Sequence, residues 1–196
     1  MLINTKKNNL WGFGLVELLV SIGIALLIMT VVMAKHSSSN GAVLLRSQAY
    51  ELALSIREIQ LAAVSAIGDN GSFRDAHGLY FATSNQNFFY SFRDDATVDN
   101  FYNDGEAVGP KNFLDARFEI SEIRLVNGVV ENTADDVSIV FERPNFDAKF
   151  YTAPNTEASA SVNAVEIDVR ISGTTGDTVS EVRTVEISRT GQIVVQ

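Results

Sequence analysis

The sequence predicts an α+β protein in which one long N-terminal helix packs on an antiparallel β-sheet. Three observations carry this. An apolar run occupies residues 13–34, apolar residues then recur at helical spacing as far as residue 66, and from Phe73 onward the period falls to two.

The apolar run is Phe13 to Ala34, 22 residues in which every large side chain but one is hydrophobic. As a helix it is roughly 33 Å long, enough to cross a bilayer. Gly14 and Gly23 are tolerated in such helices and allow close approach. His36 to Gly41, reading HSSSNG, is a weak point in any continuing helix. Beyond it Leu45, Ala49, Leu52, Ile56, Ile59, Ala63 and Ala66 form one stripe, with Arg46, Glu51, Arg57 and Glu58 mostly off it. No proline interrupts residues 1–109, and Gly68-Asp69-Asn70-Gly71 supplies a stop.

Strands are expected at 79–83, 88–92, 118–126, 137–141, 148–151, 162–171, 182–188 and 193–195. The clearest alternates Val165, Ile167, Val169 and Ile171 with Glu166, Asp168 and Arg170, the pattern of a half-buried strand. The loop SGTTGDT (172–178) joins it to the next strand, and Thr190-Gly191-Gln192 turns the chain into the last. An apolar helical stripe followed by antiparallel strands has one economical arrangement, the stripe on one face of a twisted sheet.

Residues 1–12 are short and polar, with Lys6 and Lys7 adjacent, which favours a cytoplasmic N-terminus and places everything after Lys35 on the far side. Glu17 breaks the apolar run. A carboxylate at that depth is costly unless it finds a partner or reaches the headgroups. A glutamate snorkelling near the helix start, favoured slightly by the helix dipole, is the plain structural explanation.

Gly12-Phe13-Gly14-Leu15-Val16-Glu17, preceded by lysines and followed by the apolar run, resembles the prepilin cleavage and methylation motif of type IV pilins and type II secretion pseudopilins. The resemblance implies that a prepilin peptidase cuts between Gly12 and Phe13 and methylates the new Phe13 amine. It implies that Glu17 pairs with a neighbouring subunit's N-terminal amine during assembly. A buried carboxylate and a buried ammonium compensate each other only when the next helix is in register, so such a pair selects register more than it adds stability. Gly14 stands where the family often has Thr or Ser, and Ala34 where many major pilins carry a kinking proline. The second departure leans toward a minor subunit. A conventional leader cut after Ala34 and an uncleaved single span are the alternatives.

The resemblance extends to a pilin-like fold: the helix, the strands and a terminal hairpin closing on 186–195 are most similar to the H-type pseudopilins and related minor pilins, closely over residues 6–34 and more distantly over 45–66 and 162–195. The expected organisation is a leader at 1–12, a transmembrane assembly helix at 13–34, the exposed half of the helix at 35–70 and a β-sheet domain at 71–196. The implied partners are other pilin or pseudopilin subunits, the prepilin peptidase, an inner-membrane assembly platform and the lipid bilayer. The implied location is the cytoplasmic membrane first, and then a pilus or pseudopilus.

Composition bounds the chemistry. The chain carries 15 basic and 24 acidic residues, net −9; without residues 1–12 the balance is 13 against 24, or −11. That does not favour a nucleic-acid surface, which needs clustered cations. Without cysteine there is no disulfide framework and no thiolate metal site. The histidines, His36 and His77, are far apart in sequence, and there is no nucleophile elbow, phosphate loop or dinucleotide fingerprint. No enzymatic activity is expected.

Two clusters remain. Asp94, Asp95, Asp99 and Asp104, with Asn103 and Glu106, have the oxygen density of a calcium-holding loop, and some pseudopilins bind calcium; a solvated loop is the alternative. Arg170, Arg183 and Arg189 are candidate DNA contacts, since some related minor pilins capture DNA. Their neighbours Asp168, Glu181 and Glu186 weigh against it. The expected function is therefore structural: a minor pilin or pseudopilin in a type IV pilus or type II secretion-like filament. A DNA-capturing minor pilin and a major pilin are the other readings.

Overall fold

The structure is a computed structural model that describes residues 14–65, 75–95, 97–128, 130–141, 146–173 and 182–196; the side chains of 34–40 and 130–131 fall outside that description. The chain divides into two compact units, Met1–Asn40 and Gly41–Gln196.

Among the described residues there is one helix, α1 (Leu15–Val64), as the proline-free sequence suggests, assigned through the 36–41 segment that reads as a weak point. The strands are β1 (Ala76–Ala82), β2 (Phe88–Asp94), β3 (Asn112–Phe113), β4 (Phe118–Asn127), β5 (Val130–Thr133), β6 (Asp136–Phe141), β7 (Ala148–Ala153), β8 (Thr156–Glu157), β9 (Ala164–Ile171), β10 (Val182–Ser188) and β11 (Ile193–Val195). The expected stop at 68–71 and most of the 172–178 loop lie outside the described residues.

The strands form two sheets where one was expected. The first has the order β3-β2-β1-β6-β7-β8 and the second β11-β10-β9-β4-β5, all antiparallel. The split follows from non-local pairing: β1 takes β6 as its second neighbour, and β4 takes β9. The expected hairpin closing the chain is present, with Ile187 opposite Ile193 and Val185 opposite Val195.

Both sheets and the second part of α1 share one core. The helix contributes Leu45, Ala49, Leu52, Ile56 and Ala63. The first sheet contributes Leu79, Phe81, Phe89, Ile139, Phe141 and Phe150, and the second Ile120, Ile123, Val165, Ile167, Val169, Val185 and Ile187. Phe81 and Phe89 stack at 5.0 Å between ring centroids. The first sheet buries its outer face as well: Phe92, Val140 and Tyr151 pack there beneath Tyr80, Phe101 and Tyr102. That is why β6 reads as a nearly continuous apolar run. The second sheet's outer face is polar. Arg124 bridges Glu166 and Asp168 at 2.9 Å each, and the Thr184 hydroxyl donates to Asp168 at 2.6 Å. The alternation predicted for β9 thus has its polar members on that face.

Two glutamines on α1 tie the helix to loops. Gln48 accepts from the Asp115 N–H at 3.1 Å. The Gln60 amide donates to the carbonyls of Phe146 and Gly191, both at 2.9 Å. Gly191 has φ +76, and a Cβ there would collide with the Phe146 carbonyl oxygen and lie 2.6 Å from the Gln60 amide nitrogen. Gly105 has φ +107 but open space around it.

Gly191→Ala is expected to cost at least about 2 kcal/mol, because strain adds to a backbone clash and a broken amide clamp. Gly105→Ala bears strain alone and costs less. Urea unfolding of the detergent-solubilised full chain separates the two, and equal losses would contradict this account of the clamp.

Candidate functional site

Leu15–Met33 is a helical segment of 19 residues with mean hydropathy 2.6, none of it buried, and by length and composition it can cross a membrane. Its polar groups are few. The Ser21 hydroxyl donates to the Glu17 carbonyl at 2.7 Å, and the Thr30 hydroxyl to the Leu27 carbonyl at 2.8 Å. Both hydroxyls are therefore satisfied within the helix, as a span in lipid requires. The Glu17 carboxylate lies in the first turn and has no partner among the described residues. Gly12 and Phe13, the expected cleavage and methylation positions, lie outside the described residues.

The acidic cluster folds into the loop between β2 and β3. The loop returns alongside β2 through an Arg93 N–H to Glu106 carbonyl bond of 3.0 Å and a bridge between Phe92 and Ala107. Three carboxylates are buried in it: Asp94, Asp99 and Glu106. Asp94 accepts from the N–H groups of Asp99 (3.2 Å) and Asn100 (2.8 Å). Glu106 accepts from those of Thr97 (3.0 Å) and Asn103 (2.9 Å). Asp99 accepts from the Phe101 N–H at 2.9 Å and the Asn103 amide at 3.2 Å. The other two expected ligands diverge: Asp95 turns to Arg93 at 2.7 Å, and Asp104 is exposed. Among the described residues no three metal-ligating side chains converge. The oxygens of Asp94, Asp99 and Glu106 are directed at protein N–H groups, an arrangement that shapes the backbone.

Burial pushes the Asp94 carboxyl above its ordinary value, and the charges of Glu106 and Asp99 add to the rise; the two N–H donors pull it down.

The three arginines behave differently from one another. Arg170 donates to Glu119 at 2.7 Å, and the Ser172 hydroxyl completes that carboxylate at 3.0 Å. Arg189 is a clamp: it donates to the carbonyls of Val162, Ala158 and Ser159 and to the Glu157 carboxylate at 2.7 Å. Arg183 donates to the Val182 carbonyl at 2.9 Å. Gln48, Gln60 and the Arg189 clamp were not singled out from sequence. The two glutamines fall on the apolar stripe at helical spacing, and that interruption is the signal that marks them.

Comparisons with protein-family models, with curated proteins and with solved structures find no match to this chain.

Asp94→Ala leaves two buried N–H groups without acceptors and is expected to cost about 1–3 kcal/mol in urea unfolding at neutral pH. The pH dependence has a definite sign. A carboxyl whose folded pKa lies above its unfolded value of 3.8 stabilises fully below that value, and this contribution fades as pH rises through the folded pKa. The variant lacks this component, so its stability declines less steeply with rising pH above about 4 than that of the parent. A steeper decline would contradict the assignment.

Proposed function

We propose that the chain is a membrane-anchored structural subunit of a pilus-like or type II secretion-like filament, of the minor pilin or pseudopilin kind. The observation that carries this reading is the Glu17 carboxylate, unpartnered in an otherwise apolar, fully exposed helix able to span a bilayer. A plain anchor has no use for such a group, which costs about 2.5 kcal/mol or more in a membrane interior. An assembly helix does, because the charge is compensated when a neighbour's amine arrives in register. Cleavage between Gly12 and Phe13 would generate that amine, on a residue preceded by Lys6 and Lys7 that hold it on the cytoplasmic side. The antiparallel body, entered through α1, is compatible with the pilin-like architecture that the motif implies. Activity is by assembly.

Mass spectrometry of the N-terminus from the native host tests the proposal. The expected mature start is N-methylated Phe13; a start at Met1 or Lys35 would overturn it. Glu17→Gln should leave cleavage intact while reducing filament incorporation by roughly a hundredfold, the equivalent of about 3 kcal/mol for an unpaired buried ammonium. Undiminished incorporation would remove the pairing role from Glu17.

A further inference from the structure

α1 carries a second apolar stripe on the side away from the core. Val43, Tyr50, Leu54 and Leu61 are 69, 46, 66 and 58% exposed, and their spacing of seven, four and seven residues places them on one seam. Such spacing is that of a helix that packs lengthwise on another helix, and within the described body nothing covers it.

The two flanks of this seam carry opposite charge. On one side a furrow between α1 and β3 is lined by Glu51, Glu58 and Ser55, with Phe113 and Lys111 on its far wall. Lys111 is drawn toward the sheet, its ammonium 4.2 Å from the Phe88 ring centre. On the other side furrows between α1 and β11 are lined by Arg46 and Arg57, with Ile193, Val195 and Arg183 beyond. Leu54 borders both sides. Arg46 reaches along the seam to Tyr50, at 3.3 Å from its hydroxyl. Glu51, Glu58, Arg46 and Arg57 are all exposed.

We propose that this seam is the contact between the bodies of two copies of the chain, packed in parallel with the acidic flank of each meeting the basic flank of the other. In a parallel pair of helices packed seam to seam, the acidic flank of each copy meets the basic flank of the other, whereas an antiparallel pair sets like flanks together. Charge complementarity identifies the occupant. In a chain of net −9, identical copies repel unless opposite charges are brought together locally, and these flanks supply them. The proposal rests on the filament reading for its setting, but it concerns residues 43–61 and makes no use of Glu17 or Phe13.

The test uses the full chain in membranes, with Leu54→Cys as a unique reporter, since the parent has no cysteine. A short bismaleimide then reads contact between copies. Two charge variants are built on it: Arg46→Glu with Arg57→Glu, making both flanks acidic, and Glu51→Arg with Glu58→Arg, making both basic. Each variant alone should lose cross-linked dimer by about tenfold or more relative to the parent charges. Co-expression of the two should restore it, because an acidic chain can pair with a basic one. Cross-linking insensitive to charge, or no recovery in the mixture, would overturn the proposal. So would dimers held by the acidic variant alone, which would point to a cationic partner. The N-terminus of the same samples is read by mass spectrometry. A Phe13 start with charge-insensitive cross-linking sinks the seam alone, and a Met1 start sinks the filament reading whatever the cross-linking.

Discussion

Leu45, Ala49, Leu52, Ile56 and Ala63 lie along one stripe of α1, and the inward side chains of both sheets close around that stripe. Among the described residues no other helix covers that face of either sheet. Burying such side chains is worth about 1.5–3 kcal/mol each for Leu and Ile. The alanines at 49 and 63 set how near the strands approach. A larger residue at either would force the sheets apart, and overpacking typically costs 1–3 kcal/mol. Gln48 and Gln60 are the polar exceptions on that side of the helix, and each is matched to loop backbone. They fix the rotation of the helix about its own axis, which the apolar contacts alone leave soft. That rotation in turn decides which side chains of α1 face outward, so the seam and its charged flanks depend on it.

The acidic loop shows the same economy in another form. Its three buried carboxylates accept from N–H groups of the loop itself, which is how an irregular segment beside β2 satisfies its backbone without a strand partner. Covering the outer face of the first sheet then lets Phe92, Val140 and Tyr151 be apolar on a side that would otherwise meet water. Tyr102 stacks on Tyr90 at 4.6 Å and on Tyr80 at 5.1 Å, so the loop is held by rings as well as by charge.

The helix and seven of the strands were legible because each shows its period or an apolar run over six or more residues, and β11, three residues long, was marked by the Thr190-Gly191-Gln192 turn before it. β3, β5 and β8 have two to four residues, too few for alternation to register. The division into two sheets was not legible, because periodicity says which face of a strand is buried and nothing about which distant strand lies beside it. The acidic cluster was visible as charge density. What decides its role is the direction of nearby N–H groups, a property of backbone conformation at Asn100 (φ 61) and Gly105 (φ 107) that side-chain chemistry does not announce. The Arg189 clamp was hidden for a related reason: three of its four acceptors are carbonyls, and any residue can supply those. Glu17 was the most legible position of all, since a single charge inside an apolar run needs no tertiary information to be conspicuous.

Both units leave a surface unfinished, and the energetics of the two differ. In a bilayer, which the Leu15–Met33 helix is long and apolar enough to cross, apolar contact is not a driving force and one uncompensated carboxylate would dominate. On the body the surroundings are water, so the seam of Val43, Tyr50, Leu54 and Leu61 gains from any apolar cover, and charge decides only which cover fits. Exposed ion pairs contribute about 0–1 kcal/mol each, and the Debye length of about 8 Å at physiological salt screens the net charge of distant copies. The flanking charges therefore cannot hold two copies together. They penalise every pairing in which like flanks meet, and the apolar seam then supplies the attraction for the arrangement that is left.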